Sequence, residues 1–294
     1  MAWRITGHDL STFFLTCLLL GTSAARSENA SPPPEVATTE VAPGVYTFRH
    51  GFTRNMFMVT SEGVIATDPI SPQSARLMRQ EIAKVTDLPV KYVVYSHQHW
   101  DHVLGGQIFK DEGAVFISHK NCLAHFKRHP NPDLVMPDIT FEGNDTLTLG
   151  DRTLELLYFG RNHGDCLVTM RPGGTSIMYI VDLVTPGRTS WATMPDYYPV
   201  DYIRSLKELE ALDGFDQMIA GHGMIPLAPK SAVTERRAYM EALMRAVKKE
   251  IDKGTEFNRI ADSVDLPAFR YLGGYEQNIA GNAERMVYYY TMGW

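Results

Sequence analysis

The chain has 294 residues, enough for one large domain or two small ones with a sizeable core. A hydrophobic fraction of 44% and a charged fraction of 21% are those of an ordinary globular protein and exclude a disordered or fibrous one. The net charge of −6 gives no general support for a nucleic-acid or anionic-membrane partner, both of which favour a basic surface.

The N-terminus differs from the rest. Arg4 and His8 precede the apolar run "FFLTCLLL", and "GTSAAR" follows. That order reads as a secretory signal peptide over residues 1–25, with Ser23 and Ala25 at the −3 and −1 positions of a cut before Arg26. The apolar run is too short to span a bilayer comfortably. The expectation is therefore export, periplasmic or secreted, with no stable membrane insertion after cleavage. Two cysteines then remain, Cys122 and Cys166. They can pair as a disulfide, or Cys166, three residues after His163, can be a buried thiol; the sequence leaves both open.

Residues 26–34, "RSENASPPP", read as a flexible lead-in, and from Glu35 onward there is no linker and no repeat, so 35–294 is expected to be one domain. Strands are predicted at 45–50, 55–60 and 63–68, then a helix over 72–85 with Ala75, Leu77, Met78, Ile82 and Val85 as its apolar positions. Residues 90–96, "VKYVVYS", form a run that is apolar but for Lys91 and Ser96, expected for a strand covered on both faces. The pattern predicts a strand at 114–118, a short helix at 120–126, and strands at 153–158 and 176–181. Asp201 is the expected cap of a helix carrying Ile203, Leu206, Leu209 and Leu212. A strand at 217–220 is followed by the longest helical pattern, from Ser231 to Ile251 with Gly254 past its end, and "NAERMVYYYTMGW" reads as a last helix. Sheets and helices mix throughout, which predicts a layered α/β domain.

Chemistry concentrates in "HQHWDH", residues 97–102, at the end of the apolar strand. In an extended segment His97 and His99 project to the same side, while Asp101 and His102 are adjacent and can point apart. One loop can thus serve two neighbouring metal ions, and imidazole and carboxylate are good zinc ligands. Burying three imidazoles and a carboxylate together without a metal leaves polar groups hard to satisfy. Isolated His50, His119, His125 and His129 carry no such signal. Further candidate ligands lie where predicted strands meet loops: His163 in "FGRNHGDC", Asp182 closing the run "MYIV", and His222 between glycines in "IAGHG".

"HQHWDHVLGG" followed by His163, Asp182 and His222 resembles the metallo-β-lactamase superfamily of metal-dependent hydrolases. The resemblance covers about residues 35–294 and implies a four-layer αββα sandwich with a dinuclear metal site at the sheet edge. It implies two Zn2+ per chain, with iron or manganese as alternatives. His97, His99 and His163 would bind the first ion, Asp101, His102 and His222 the second, and Asp182 would bridge them. Asp68 matches an early aspartate that supports the ligand loop, and Gly105 the small residue after the motif. The implied activity is attack by metal-bound hydroxide on a small-molecule electrophile, with Asp101 as the catalytic residue orienting the nucleophile. Typical β-lactamases of this superfamily have cysteine or serine near the place of Asp182, which moves the expectation toward lactones, other esters, thioesters or phosphotriesters. Export disfavours a glutathione thioester and suits a lactone, a phosphotriester or a β-lactam, so β-lactam hydrolysis stays among the alternatives. Iron-dependent sulfur dioxygenases and di-iron redox proteins share the ligand set and form an alternative of another class; a binding module without catalysis is a third, disfavoured because all seven ligands are present.

Substrate contacts are expected from residues 185–199, "TPGRTSWATMPDYYP", with Trp191, Tyr197 and Tyr198 as a pocket wall and Arg188 meeting an acidic group. Phe52, Met56 and Phe57 are expected as a second lip, Arg161 and Asn162 as donors to a substrate oxygen, and Trp100 as packing for its own loop. The expected partner is a small molecule, not a nucleic acid; self-association is left open.

Overall fold

The computed structural model describes residues 36–293, so the expected signal peptide at 1–25 and lead-in at 26–34 lie outside the described residues. The first half of the chain forms a seven-stranded sheet whose strands are ordered as in the sequence. Strands β1 (Val36–Ala42), β2 (Val45–His50), β3 (Thr53–Val59) and β4 (Val64–Thr67) make an antiparallel meander. Helix α1 (Pro72–Ala83) then crosses over so that β5 (Val90–Val94) pairs parallel with β4. Short helices α2 (Trp100–Val103) and α3 (Gln107–Asp111) precede β6 (Val115–His119), α4 (Lys120–Arg128) precedes β7 (Ile139–Phe141), and both strands continue the parallel half.

The second sheet has six strands in the order β13-β12-β11-β10-β9-β8. Its members are β8 (Asp145–Leu149), β9 (Arg152–Tyr158), β10 (Val168–Pro172), β11 (Ile177–Val181), β12 (Gln217–Ala220) and β13 (Ala228–Pro229). Helix α5 (Pro199–Ala211) connects β11 to its parallel neighbour β12; α6 (Ser231–Asp252), α7 (Phe257–Ser263) and α8 (Tyr275–Met292) complete this half.

Three apolar layers follow from strand alternation. In β3, Phe57 points toward α1 and joins Phe48, Val93, Met78, Ile82 and Phe116. Its neighbours Met56 and Met58 point the other way, onto Leu154, Met170, Tyr179 and Val181 of the second sheet. The far face of that sheet, with Met178, Ile180 and Met218, packs on Leu206, Leu209, Met240, Leu243 and Met286 of the last helices. The order helix, sheet, sheet, helix is therefore an αββα sandwich.

Several boundaries differ from the sequence reading for identifiable reasons. Asp201 is not the cap of α5: Pro199, with its preset φ, starts the helix earlier, and Asp201 lies in the first turn, pairing with Arg161. Strands β1, β8 and β10 carry no clean run of apolar residues and were not expected. Helix α8 begins at Tyr275, before the predicted segment, because its first turns bury little beyond Tyr275 itself. Cys122 of α4 and Cys166 form a disulfide, Cα–Cα 5.2 Å, tying the helix layer of the first sheet to the segment that carries His163.

Candidate metal centre

All candidate ligands follow the C-terminal ends of strands, and the backbone there is constrained. Asp68 directly follows β4 with φ of 34°, and Val181, the residue before Asp182, has φ of 56°. Positive φ at a β-branched residue costs energy and persists only where surrounding contacts enforce it. Gly105 has φ of +88°, and a Cβ there would sit 2.1 Å from the Ser71 carbonyl carbon, so only glycine lets the segment after α2 close against the start of α1. Gly221 meets a similar limit inside the site, where a Cβ would lie 2.5 Å from Asp182 Oδ1.

These turns assemble two adjacent clusters. His97, His99, His163 and Asp182 form one; Asp101, His102, His222 and Asp182 form the other, with the ligating atoms of each within 4.8 Å of one another. Asp182 belongs to both, through different oxygens. Its Oδ2 lies 3.5 Å from His97 Nε2 and 3.6 Å from His163 Nε2. Its Oδ1 lies 3.2 Å from His102 Nε2 and 3.3 Å from His222 Nε2. Asp101 Oδ2 is 3.3 Å from His222 Nε2, while about half of the Asp101 side chain stays open to solvent.

The electrostatics suit cations. Burial and the neighbouring His99 push His97 down to about 3, and the same causes push His163 down to about 4, so both rings are neutral and able to ligate near neutral pH. Asp182 is buried, which opposes ionisation, yet His102 and His222 hold its carboxyl well below the usual range. Burial also opposes charge on His222, but Asp182 and Asp101 outweigh it and push the ring up to about 10.

Two buried atoms at the centre, His97 Nε2 and Asp182 Oδ1, make no well-formed hydrogen bond among the described residues; their nearest polar neighbours are other members of the clusters. Polar atoms at such depth call for a partner, and both are turned into the clusters. The donor set of imidazoles and carboxylates fits zinc or another first-row divalent ion.

Supporting residues hold this arrangement. Asp68 is fully buried; its Oδ1 accepts from Ser96 N at 2.8 Å and its Oδ2 from Tyr179 Oη at 2.8 Å, with His102 Nδ1 at 3.8 Å. It thus fastens the loop leaving β5 and stands behind His102. His97 Nδ1 meets Ser96 Oγ at 2.9 Å, and His99 turns Nδ1 toward His163 Nε2 at 3.0 Å. The other His99 nitrogen, Nε2, lies 2.7 Å from Asp196 Oδ2, which also accepts from Gln98 Nε2 at 3.0 Å. Asp196 was missed by sequence reasoning, since a single carboxylate in a loop almost a hundred residues from its partner carries no local pattern. A carboxylate behind a ligating imidazole fixes the ring and raises its basicity. Asp196→Asn is accordingly expected to weaken ion binding at the first cluster by about 10–100-fold, read by calorimetric zinc titration; an unchanged isotherm removes this role.

A narrow cleft leads to the clusters, lined by His163, Asp182 and His222 together with Phe52, Arg188, Trp191 and Tyr197. Tyr197 is buried and stands edge-on to His163, centroids 4.7 Å apart, while Trp191 is mostly exposed. Other expected contacts lie elsewhere. Met56 and Phe57 are buried in the apolar layers and form no lip. Tyr198 and Arg161 stack on each other, and Arg161 pairs with Asp201, outside the cleft lining. Asn162 is buried: its Oδ1 accepts from His163 N at 2.6 Å and its Nδ2 donates to Gly160 O, so it shapes the ligand loop. Trp100 is not loop packing, because at the exposed start of α2 it is half open to solvent.

Comparisons with known proteins agree with this geometry. The model of the metallo-beta-lactamase superfamily matches residues 51–222. A metallo-beta-lactamase from Pontibacter korlensis superposes with a TM-score of 0.61 at 17% identity, covering 70% of this chain and 99% of that one, which is a likeness of fold. The 2,4-dinitroanisole O-demethylase subunit alpha of Nocardioides sp. (strain JS1661) is 27% identical over 192 residues. That match covers 64% of this chain and 58% of the relative's own length.

Proposed function

Because the chain belongs to the metallo-beta-lactamase superfamily, we propose that it is an exported, dinuclear metal-dependent hydrolase of small-molecule electrophiles, lactones and related esters foremost. The observation that carries this reading is the shared carboxylate: Asp182 presents one oxygen to each of two ligand clusters at the floor of one cleft. His97, His99 and His163 would hold one ion, Asp101, His102 and His222 the other, and Asp182 both. When bound, two divalent ions supply Lewis-acid polarisation of a substrate oxygen and a water acidified enough to attack near neutral pH.

The chain's own residues do the rest. Asp101 turns Oδ2 toward His222 and keeps a solvent-facing side, where a carboxylate oxygen accepts a proton bond from the attacking water and aims it. His222 ties the Asp101 carboxylate, holding it deep in its ionised range against the effect of burial. Tyr197 and Phe52 wall the cleft and restrict water, and Trp191 offers an open ring face for the substrate's apolar body. The disulfide between Cys122 and Cys166 supports export, since such bonds persist in oxidising compartments.

A second reading is favoured by the curated relative. O-demethylation of a ring bearing two nitro groups can proceed by adding hydroxide to the ring carbon and expelling methoxide, which leaves as methanol. An aromatic-walled cleft over the same clusters suits that electrophile. The test is a turnover screen of metal-stripped, zinc-loaded and iron-loaded protein on a lactone, a β-lactam, a thioester, a phosphotriester and 2,4-dinitroanisole. Turnover of the lactone only with metal restored is expected. Fully metal-loaded protein inert toward every arm overturns the reading, and activity confined to the iron form with oxygen consumed favours redox chemistry.

A further inference from the structure

The first cluster has a covalent neighbour. Cys166 stands three residues after His163, and the disulfide joins it to Cys122 of α4, with both residues fully buried. From Cys166 a line of side chains runs back to the ligands. Its Sγ lies 3.1 Å from Gln98 Oε1. A disulfide sulfur has no proton to donate, so this contact is packing that fixes which way the Gln98 amide is turned. The amide directs Nε2 at Asp196 Oδ2, the same oxygen that meets His99 Nε2, and His99 turns its other nitrogen to His163. Gln98 fits there because residue 164 is glycine: a Cβ at Gly164 would lie 2.5 Å from Gln98 Nε2. Disulfide, amide and carboxylate thus form one line that ends on two ligands of the first cluster.

The loop of the second cluster is fastened differently. Arg54 Nη2 donates to Met224 O at 3.0 Å, Arg54 N to Gly221 O at 2.7 Å, and Gly223 N to Phe52 O at 2.9 Å, all around His222. The disulfide also has helpers that do not depend on it. Asn121 Nδ2 donates to Asp165 O at 2.9 Å, and His125 Nε2 lies 2.6 Å from Asp165 Oδ1. These contacts hold Asp165 whether or not the sulfurs are joined. Breaking the bond therefore lets Cys166 shift against Gln98 while the segment stays docked on α4.

We propose that the Cys122–Cys166 bond, acting through Gln98, sets the ion affinity of the first cluster: the reduced chain holds that ion weakly, the oxidised chain tightly. The bond forms by thiol–disulfide exchange with a protein or low-molecular-weight disulfide; the two thiols give up two protons and two electrons, and the oxidant leaves as two thiols. Because both cysteines are buried, reductants do not reach the bond in the folded chain. Tight loading is thus committed once the oxidised fold closes, which suits an oxidising compartment. The inference rests on the clusters as metal sites and not on the reaction they carry.

The test is calorimetric zinc titration of the full chain with and without the bond. The first cluster is read alone in a His222→Ala background, the second alone in a His163→Ala background. Replacing both cysteines, Cys122→Ala with Cys166→Ala, is expected to weaken the first cluster about tenfold and to leave the second within about twofold. Gln98→Met keeps the disulfide and should weaken the first cluster to a similar degree. Combining it with the cysteine changes should add little, since both cut the same line. If the cysteine-free chain does not fold, Gln98→Met decides alone. Equal losses at both clusters make the disulfide a stabiliser of the whole fold and overturn the proposal. So does a first cluster unmoved by the cysteine changes or by Gln98→Met, and so do losses that add in full. An unaltered chain that binds no zinc sinks the metal reading as well; tight binding indifferent to the cysteines sinks this inference and leaves that reading standing.

Discussion

Asp182→Ala is expected to lower the affinity of both clusters for zinc by about a hundredfold or more, beyond the loss of a supporting residue. The reason is geometric: Oδ2 faces His97 and His163, Oδ1 faces His102 and His222, and among the described residues no other carboxylate is shared by the two clusters. Removing it leaves three imidazoles on one side, and one carboxylate with two imidazoles on the other. It also removes the group that most strongly favours the charged form of His222. The measurement is metal content after dialysis, with calorimetric titration of the stripped variant. Two ions retained per chain at unaltered affinity would show that Asp182 is not the bridge.

The second large effect is on turnover. Asp101→Ala is expected to reduce kcat by about 10³-fold or more, in the range of losing a positioned proton acceptor together with a ligand. The fold should survive, because the Asp101 side chain is about half exposed and sits on the short helix α2, outside the apolar layers. Circular dichroism and the melting transition of the metal-free protein check that point. Undiminished hydrolysis by the variant would contradict the role assigned to Asp101.

How much was legible beforehand depends on the kind of signal. The seven candidate ligands were readable because each lies where an apolar strand runs into a loop, and the density of "HQHWDH" has few other physical explanations. Asp68 was singled out only through the family resemblance. The sandwich followed from the resemblance; alternation alone did not order the strands, because β4 and β11 are buried at every position and lose the period of two. Residues that act through folding back were not readable. Asp196 reaches His99 and Arg236 reaches Ser190 only after the segment at 185–199 lies against the ligand loops and α6. Aromatic residues in that segment could not be sorted by type: Trp191 opens on the cleft, Tyr197 is buried beside His163, and Tyr198 turns away to stack under Arg161. The disulfide was undecidable from spacing because the distance between Cys122 and Cys166 depends on how α4 meets the loop before β10.

The most direct test of a dinuclear hydrolytic centre is a zinc titration of the stripped protein, following bound metal and lactone turnover in the same samples. Turnover should rise until two ions are bound per chain and then level off. A plateau at one ion, or turnover equal in stripped and loaded protein, would contradict the account.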